Sequence, residues 1–278
     1  MSLSAVQASA YLHHLHLESA DPDRLSAFYA SVMSMERSRF ENGWITQGPA
    51  RRLIISHGKE KSLASAGFAV RDKEGLEGLK ARAQERGLKP ESVTEPFFSS
   101  GAFCVTDPDG NKIVFGLSSG DNHTEKPIRG PLQHLTLATA DIAAIEDFYS
   151  NGLGFSVSDK VVREDGKLMT CFMRGNHEHH NLACFLQDRK GIDHHSYEAG
   201  EWDTIRDWCD HFARHDVPLM WGPGRHGPGN NLFIFIKDPD ENWIEVSAEL
   251  EVVHDRQVKT WPHEERTLNK WGRAIMRA

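Results

Sequence analysis

The chain carries a second copy of its own opening. Tyr11–Asp21 resembles Leu132–Asp141, and His14 and Phe28-Tyr29 recur 120 residues on as His134 and Phe148-Tyr149. A later landmark, Asp107-Pro108-Asp109-Gly110-Asn111, returns 131 residues on as Asp238-Pro239-Asp240-Glu241-Asn242. A duplication of this extent asks for two copies of one folding unit, which limits the fold more than any single motif does. In the second copy Leu132–Thr139 alternates as a strand, and Asp141 can cap a helix whose apolar stripe Ile142, Ala143, Ile145, Phe148, Tyr149 ends at Asn151-Gly152. Strands are predicted at 155–162, 168–173 and 181–186. They are followed by a strand at 194–199, a helix at 201–215, and strands at 231–237 and 242–248. The pattern predicts an α+β chain of four βαβββ modules in two tandem domains. Residues 1–120 form the first module pair, 121–130 a Ser-, Gly- and Asp-containing linker, 131–250 the second pair, and 251–278 a charged tail with Trp261 and Trp271.

With 278 residues the chain can bury a real core in each half. Its 32 basic and 40 acidic residues leave a net charge of −8 without a dense Lys/Arg block, which excludes polyanion or anionic-membrane binding as a first reading. The longest apolar runs, such as Leu232–Ile236, are strand-sized and far short of the roughly 20 residues that span a bilayer. The polar start Met1–Val6 reads as a frayed lead-in rather than a signal, so a cytoplasmic protein is expected. Cys104, Cys171, Cys184 and Cys209 are scattered and read as buried thiols. Histidine is abundant, at 16 residues, and raises the expectation of a metal site without locating it.

Non-haem iron enzymes that activate oxygen hold the metal with two histidines and one carboxylate. Period-two alternation puts His134 with Thr136 and Ala138, Glu245 with Trp243 and Ser247, and His195 with Tyr197. A strand histidine taken alone is more often a hydrogen-bonded or half-exposed residue than a ligand, and Glu245 could face solvent on an edge strand. Their joint occurrence on opening, opening and closing strands of successive modules favours a common site.

At these residues the C-terminal half resembles the type I extradiol ring-cleavage dioxygenases of the vicinal oxygen chelate superfamily. The most specific stretch is Gly224-Arg225-His226-Gly227, the strand Leu232–Lys237, the turn Asp238-Pro239 and then Glu245. The resemblance implies that His134, His195 and Glu245 bind Fe(II), or Mn(II) in its place. The family's ligand is the second of a His-His pair, which favours His195 over His194. It also implies that His180 is the acid/base group and that His226 stands beside the ligands, whereas His177 and His179 read as incidental loop histidines. Phe172, Phe235, Tyr197 and Trp243 are expected to contact substrate, with Phe185 and Phe233 as further apolar walls. The implied partners are a small aromatic diol and O2, in a homo-oligomer, and the implied reaction is extradiol cleavage of a catechol-type ring.

Two departures stand out. Phe235 occupies the place of the family's tyrosine ten residues before the glutamate ligand, and Glu241 replaces the turn glycine that the first copy keeps as Gly110, which predicts a differently shaped turn. The first half keeps His14 but has Ala66 and Val114 where the ligands would be, so it is expected to lack a metal site. The alternatives are a glyoxalase-like isomerase or lyase, whose ligands would come from both paired modules, and a metal-free aromatic-binding module on the same fold. Metal content separates the last from an enzyme.

Overall fold

A computed structural model describes residues 1–120 and 128–276; of the expected linker 121–130, residues 121–127 lie outside the described residues. Four βαβββ modules follow one another. The first runs β1 (Tyr11–Ser19), α1 (Pro22–Ser31), β2 (Glu36–Phe40), β3 (Gly43–Gly48), β4 (Arg51–His57). The second runs β5 (Ser62–Ala69), α2 (Lys73–Glu85), β6 (Glu91–Ser92), β7 (Phe103–Thr106), β8 (Lys112–Gly116). The third is β9 (Leu132–Thr139), α3 (Ile142–Asp147) continuing into a π-helical turn at Phe148–Gly152, β10 (Ser156–Val162), β11 (Leu168–Arg174), β12 (Leu182–Leu186). The fourth is β13 (Gly191–Gly200), α4 (Trp202–Arg214), β14 (Trp221–Arg225), β15 (Leu232–Lys237), β16 (Trp243–Ala248), and the tail adds β17 (Lys259–Pro262) and α5 (Glu265–Leu268).

Each half is one mixed sheet, in the order β2-β3-β4-β1-β5-β8-β7-β6 for the first and β14-β15-β16-β13-β9-β12-β11-β10-β17 for the second. The opening strands of paired modules lie side by side and antiparallel, and each is flanked by the parallel closing strand of its own module. Central strands of this kind are covered on both faces, which is why every residue of β9 is buried.

The duplication is preserved down to its caps. Asp21 and Asp141 start α1 and α3 with nearly equal backbone angles, and each accepts a 3.1 Å bond from the amide three residues on. Helix α1 delivers Tyr29 and the π turn delivers Tyr149, and each tyrosine crosses to the other half. Tyr29 Oη donates to Asp238 Oδ2 at 3.0 Å, and Tyr149 Oη donates to Asp107 Oδ2 at 2.9 Å. Both aspartates open the Asp-Pro-Asp-X-Asn turns, where an Asn side chain four residues on and backbone amides satisfy their other lone pairs. Burial pushes the Asp238 carboxyl up to about 6, even though Asn242 and Tyr29 favour its charged form.

Three expectations change. The two Asp-Pro turns share one shape: Gly110 and Glu241 both have positive φ, +93° and +65°, and both donate to the carbonyl of the turn's first Asp at 3.0 Å. The start of the chain is not frayed, since Ala5, Ala8 and Ala10 are buried and the Ala5 amide donates to Leu153 O at 2.9 Å. Trp221–Arg225, which the predicted strands did not include, forms β14 and pairs with β15. No helix among the described residues is long and apolar enough to cross a membrane.

Removing one tyrosine hydroxyl leaves a buried carboxylate short of a donor, which costs about 1 to 3 kcal/mol. Tyr29→Phe and Tyr149→Phe are each expected to lower the urea midpoint accordingly; unchanged midpoints in both variants would remove these bonds from the account of stability.

Candidate metal centre

Register decides which side chains meet. On β13, Ser196 lies opposite His134 of β9 and Glu245 of β16, so Ser196 and its period-two neighbour His194 share a face with both. His195 lies opposite Leu135 and Ile244, on the other face. The expected ligand set is therefore corrected at one position: His194, not His195, joins His134 and Glu245. One ligand atom from each of these three buried residues can be chosen so that all lie within 4.8 Å, the only such group among the described residues.

His134 Nε2 stands 3.2 Å from Glu245 Oε2, His194 Nε2 stands 3.4 Å from the same oxygen, and the two Nε2 atoms are 3.4 Å apart. The far nitrogens explain the orientation. His134 Nδ1 lies 3.1 Å from Gln133 Oε1, and His194 Nδ1 lies 2.7 Å from Asp193 Oδ1. Both partners only accept, so each Nδ1 carries the proton and each Nε2 presents a lone pair. Thr136 Oγ1 lies 3.1 Å from His194 Nε2. Two imidazole lone pairs and a carboxylate facing one another at this range repel unless a cation sits among them, so the donor set fits a divalent metal. Asn231 Nδ2 donates to Glu245 Oε1 at 3.1 Å and to Ser247 Oγ at 2.8 Å, which fixes the carboxylate plane.

His195 has a different task. Its Nε2 lies 3.2 Å from Tyr29 Oη, within the contact between the halves, and burial first, then His194 and His134, lower its pKa to about 3. Tyr197 goes with it: buried on the same face and beside His195, it is not part of the pocket, which corrects its expected contact with substrate.

The pocket over the three donors is lined by Phe172, Phe185, Phe235, His180 and His226, among others, and by His263, Leu268 and Ile275 from the tail. Trp243 and Phe233 stand behind this wall instead of in it. Trp243 meets the Phe235 ring edge-on at 5.9 Å, and Phe233 stacks on His226 at 3.9 Å. Phe235 stacks on Trp221 at 5.3 Å and meets His194 edge-on at 5.4 Å, so an aromatic face occupies the place of the expected tyrosine. His180 lies over His134, with ring centroids 4.4 Å apart, and burial drives its pKa well below the ordinary histidine value, with His134 adding to the shift. His226 Nδ1 donates to the Leu268 carbonyl, and its Nε2 is 3.7 Å from Glu245 Oε1. Gln133, Asp193 and Asn231 escaped the sequence reading. Gln133-His134 and Asp193-His194 share a signal that could have found two of them, an acceptor side chain directly before each ligand-type histidine.

A family model described as the Glyoxalase/Bleomycin resistance protein/Dioxygenase superfamily matches residues 132–246. The chain is 25% identical over 282 residues to 3-methylcatechol 2,3-dioxygenase of Pseudomonas putida, covering 91% of this chain and 96% of that one. It is 27% identical over 281 residues to an iron-dependent extradiol dioxygenase of Rhodococcus jostii, covering 91% and 86%. Metapyrocatechase 2 of Cupriavidus necator is 28% identical over 145 residues, 51% of this chain and 44% of that protein. In fold, the homoprotocatechuate 2,3-dioxygenase of Arthrobacter globiformis superposes with a TM-score of 0.82 at 20% identity, covering 99% of this chain and 91% of that one. Matched segment, relatives and fold point the same way: residues 132–246 match the Glyoxalase/Bleomycin resistance protein/Dioxygenase superfamily, and over most of its length the chain is similar to extradiol dioxygenases.

Proposed function

We propose that the protein cleaves a catechol-type ring with O2 in the extradiol manner at a mononuclear Fe(II) site, with Mn(II) able to serve in its place. The observation that carries this reading is the convergence of His134, His194 and Glu245 at the floor of an aromatic-walled pocket. His134, His194 and Glu245 would hold the metal, which when bound would supply Lewis acidity toward the diol and electrons for oxygen chemistry. Residues 1–120 would serve as a scaffold without a metal site, and 131–250 as the catalytic pair.

The chain's own residues supply binding and proton handling. Phe172, Phe185 and Phe235 hold the ring and exclude water. His180 is neutral at physiological pH because burial keeps it so, and it can take a diol proton: the O–H bond breaks, its electron pair stays on oxygen, and an N–H bond forms on the imidazole. His226, whose Nδ1 donates to the Leu268 carbonyl, turns its Nε2 toward Glu245 and can accept a proton in the same space. Four free cysteines accord with a reducing, cytoplasmic setting. The tail lies along its own chain, so a homo-oligomer rests on the resemblance alone.

Loaded anaerobically with Fe(II), the protein is expected to consume O2 with catechols. His194→Ala and Glu245→Gln should lose most of the bound metal, while His195→Ala should keep it and lose stability through Tyr29; metal content and melting temperature separate the cases. Bound metal that survives in His194→Ala and is lost in His195→Ala would restore the first ligand assignment. His180→Ala should retain metal and lose roughly 10²- to 10⁴-fold in kcat, and equal turnover across pH would exclude it as the acid/base group.

The lining, among the described residues, contains neither lysine nor arginine. A carboxylate-bearing catechol would bury its charge without a cationic partner, so kcat/KM is expected to favour neutral, alkyl-substituted catechols by about 10-fold or more. Equal or better turnover of 3,4-dihydroxyphenylacetate than of 3- or 4-methylcatechol would contradict this.

A further inference from the structure

The sequence reading set His179 aside as a loop histidine, yet its side chain is fully buried, and so is that of Asp159 on β10 beside it. His179 Nε2 lies 3.2 Å from Asp159 Oδ2, and His179 Nδ1 lies 2.9 Å from His180 Nδ1. Asp159 is held from the tail, accepting from Arg256 Nη2 at 2.9 Å and from Trp261 Nε1 at 2.7 Å. The His179 amide donates to the Glu251 carbonyl at 2.8 Å, so the tail fixes the backbone of this histidine as well.

The order of the groups determines where the protons sit. Burial would raise the Asp159 carboxyl, but His179, Trp261 and Arg256 outweigh it and hold it below its usual range, so it is a carboxylate. An imidazole lone pair turned toward a carboxylate oxygen at 3.2 Å would be repelled, which places the His179 proton on Nε2 and leaves Nδ1 as an acceptor. The 2.9 Å contact then requires His180 to donate from its own Nδ1.

We propose that His179 and Asp159 are positioning residues for His180, holding its proton on Nδ1 so that Nε2 is the bare acceptor on the pocket side. When Nε2 takes the diol proton, the new positive charge on His180 lies one imidazole away from the Asp159 carboxylate, which stabilises it. The use of that acceptor rests on the extradiol reading; the tautomer does not.

Two near-isosteric variants test the arrangement. His179→Asn keeps an acceptor close to the Nδ1 position, whereas His179→Gln keeps a polar group toward Asp159 and loses that acceptor. In metal-free protein, 15N imidazole NMR, with the His180 signal assigned by its absence in His180→Ala, is expected to show Nδ1–H and bare Nε2 in the wild type and in His179→Asn, and a changed tautomer in His179→Gln. In the Fe(II)-loaded enzyme, His179→Gln should lower kcat by about 10- to 100-fold with KM within about 3-fold, His179→Asn should stay within about 3-fold of wild type, and Asp159→Asn should fall between them. A wild-type His180 protonated on Nε2, or Asn and Gln variants alike in both measurements, overturns the proposal. The expected tautomers in a protein that consumes no O2 with any catechol would instead overturn the extradiol reading and leave the positioning intact.

Discussion

The reciprocal bonds from Tyr29 to Asp238 and from Tyr149 to Asp107 are the constraint on which the rest depends. Each half supplies one tyrosine and one aspartate, so neither half satisfies its own buried carboxylate. A carboxylate without its donor is costly inside a protein, and the cheapest arrangement is the one in which both halves close on each other at once. His195 joins this contact through Tyr29, so β13 carries a structural histidine on one face and a metal-facing histidine on the other. Adjacent residues of one strand thereby tie the position of the site to the joint between the halves.

The same duplication shows what stands in the first half at the positions of the ligand-type side chains. His134, His194 and Glu245 correspond by the repeat to His14, Ser65 and Val114. Ser196, opposite both His134 and Glu245, corresponds to Gly67, opposite both His14 and Val114. A Cβ at Gly67 would lie 2.1 Å from His14 Cε1, so the ring of His14 lies directly on that glycine. Phe97 and Phe98 pack on its sides at 5.3 and 4.8 Å, and Glu95 meets Nε2 at 3.7 Å. Around His14 the space is filled by packing, and burial pushes His14 below the ordinary histidine value.

Much of this was legible in the sequence because period and repeat are local signals. The alternation of Leu132–Thr139 placed His134, the twin Asp-Pro turns placed the last strand of each half, and the joint occurrence of His134 and Glu245 on opening and closing strands pointed to a common site. What failed was the choice of His195 over His194, taken from the resemblance; it set the face of β13 one residue out of phase and took Tyr197 with it. Alternation pairs those two but cannot say which face they take; that depends on the register of β13 against both neighbours and on the irregularity at Ile192/His194. Glu241 misled for a related reason, since Asp238 and its amide bonds set the turn and the residue at the left-handed position accommodates.

The tail was the least legible part, because its composition says charge and its role is set by partners far away in sequence. Arg256 and Trp261 bind Asp159, the Leu268 carbonyl orients His226, and His263, Leu268 and Ile275 line the pocket over the metal-facing side chains. These contacts differ in kind from those of the sheet. The sheet sets where the ligand-type side chains stand, whereas the tail sets the orientation of His226 and the partners of Asp159 and supplies part of the pocket lining. A change in the tail can therefore alter the shape of the pocket and the surroundings of His226 and Asp159 without moving a donor atom on β9, β13 or β16. The duplicated fold accounts for the ligand-type side chains, and this one unduplicated segment for much of what surrounds them.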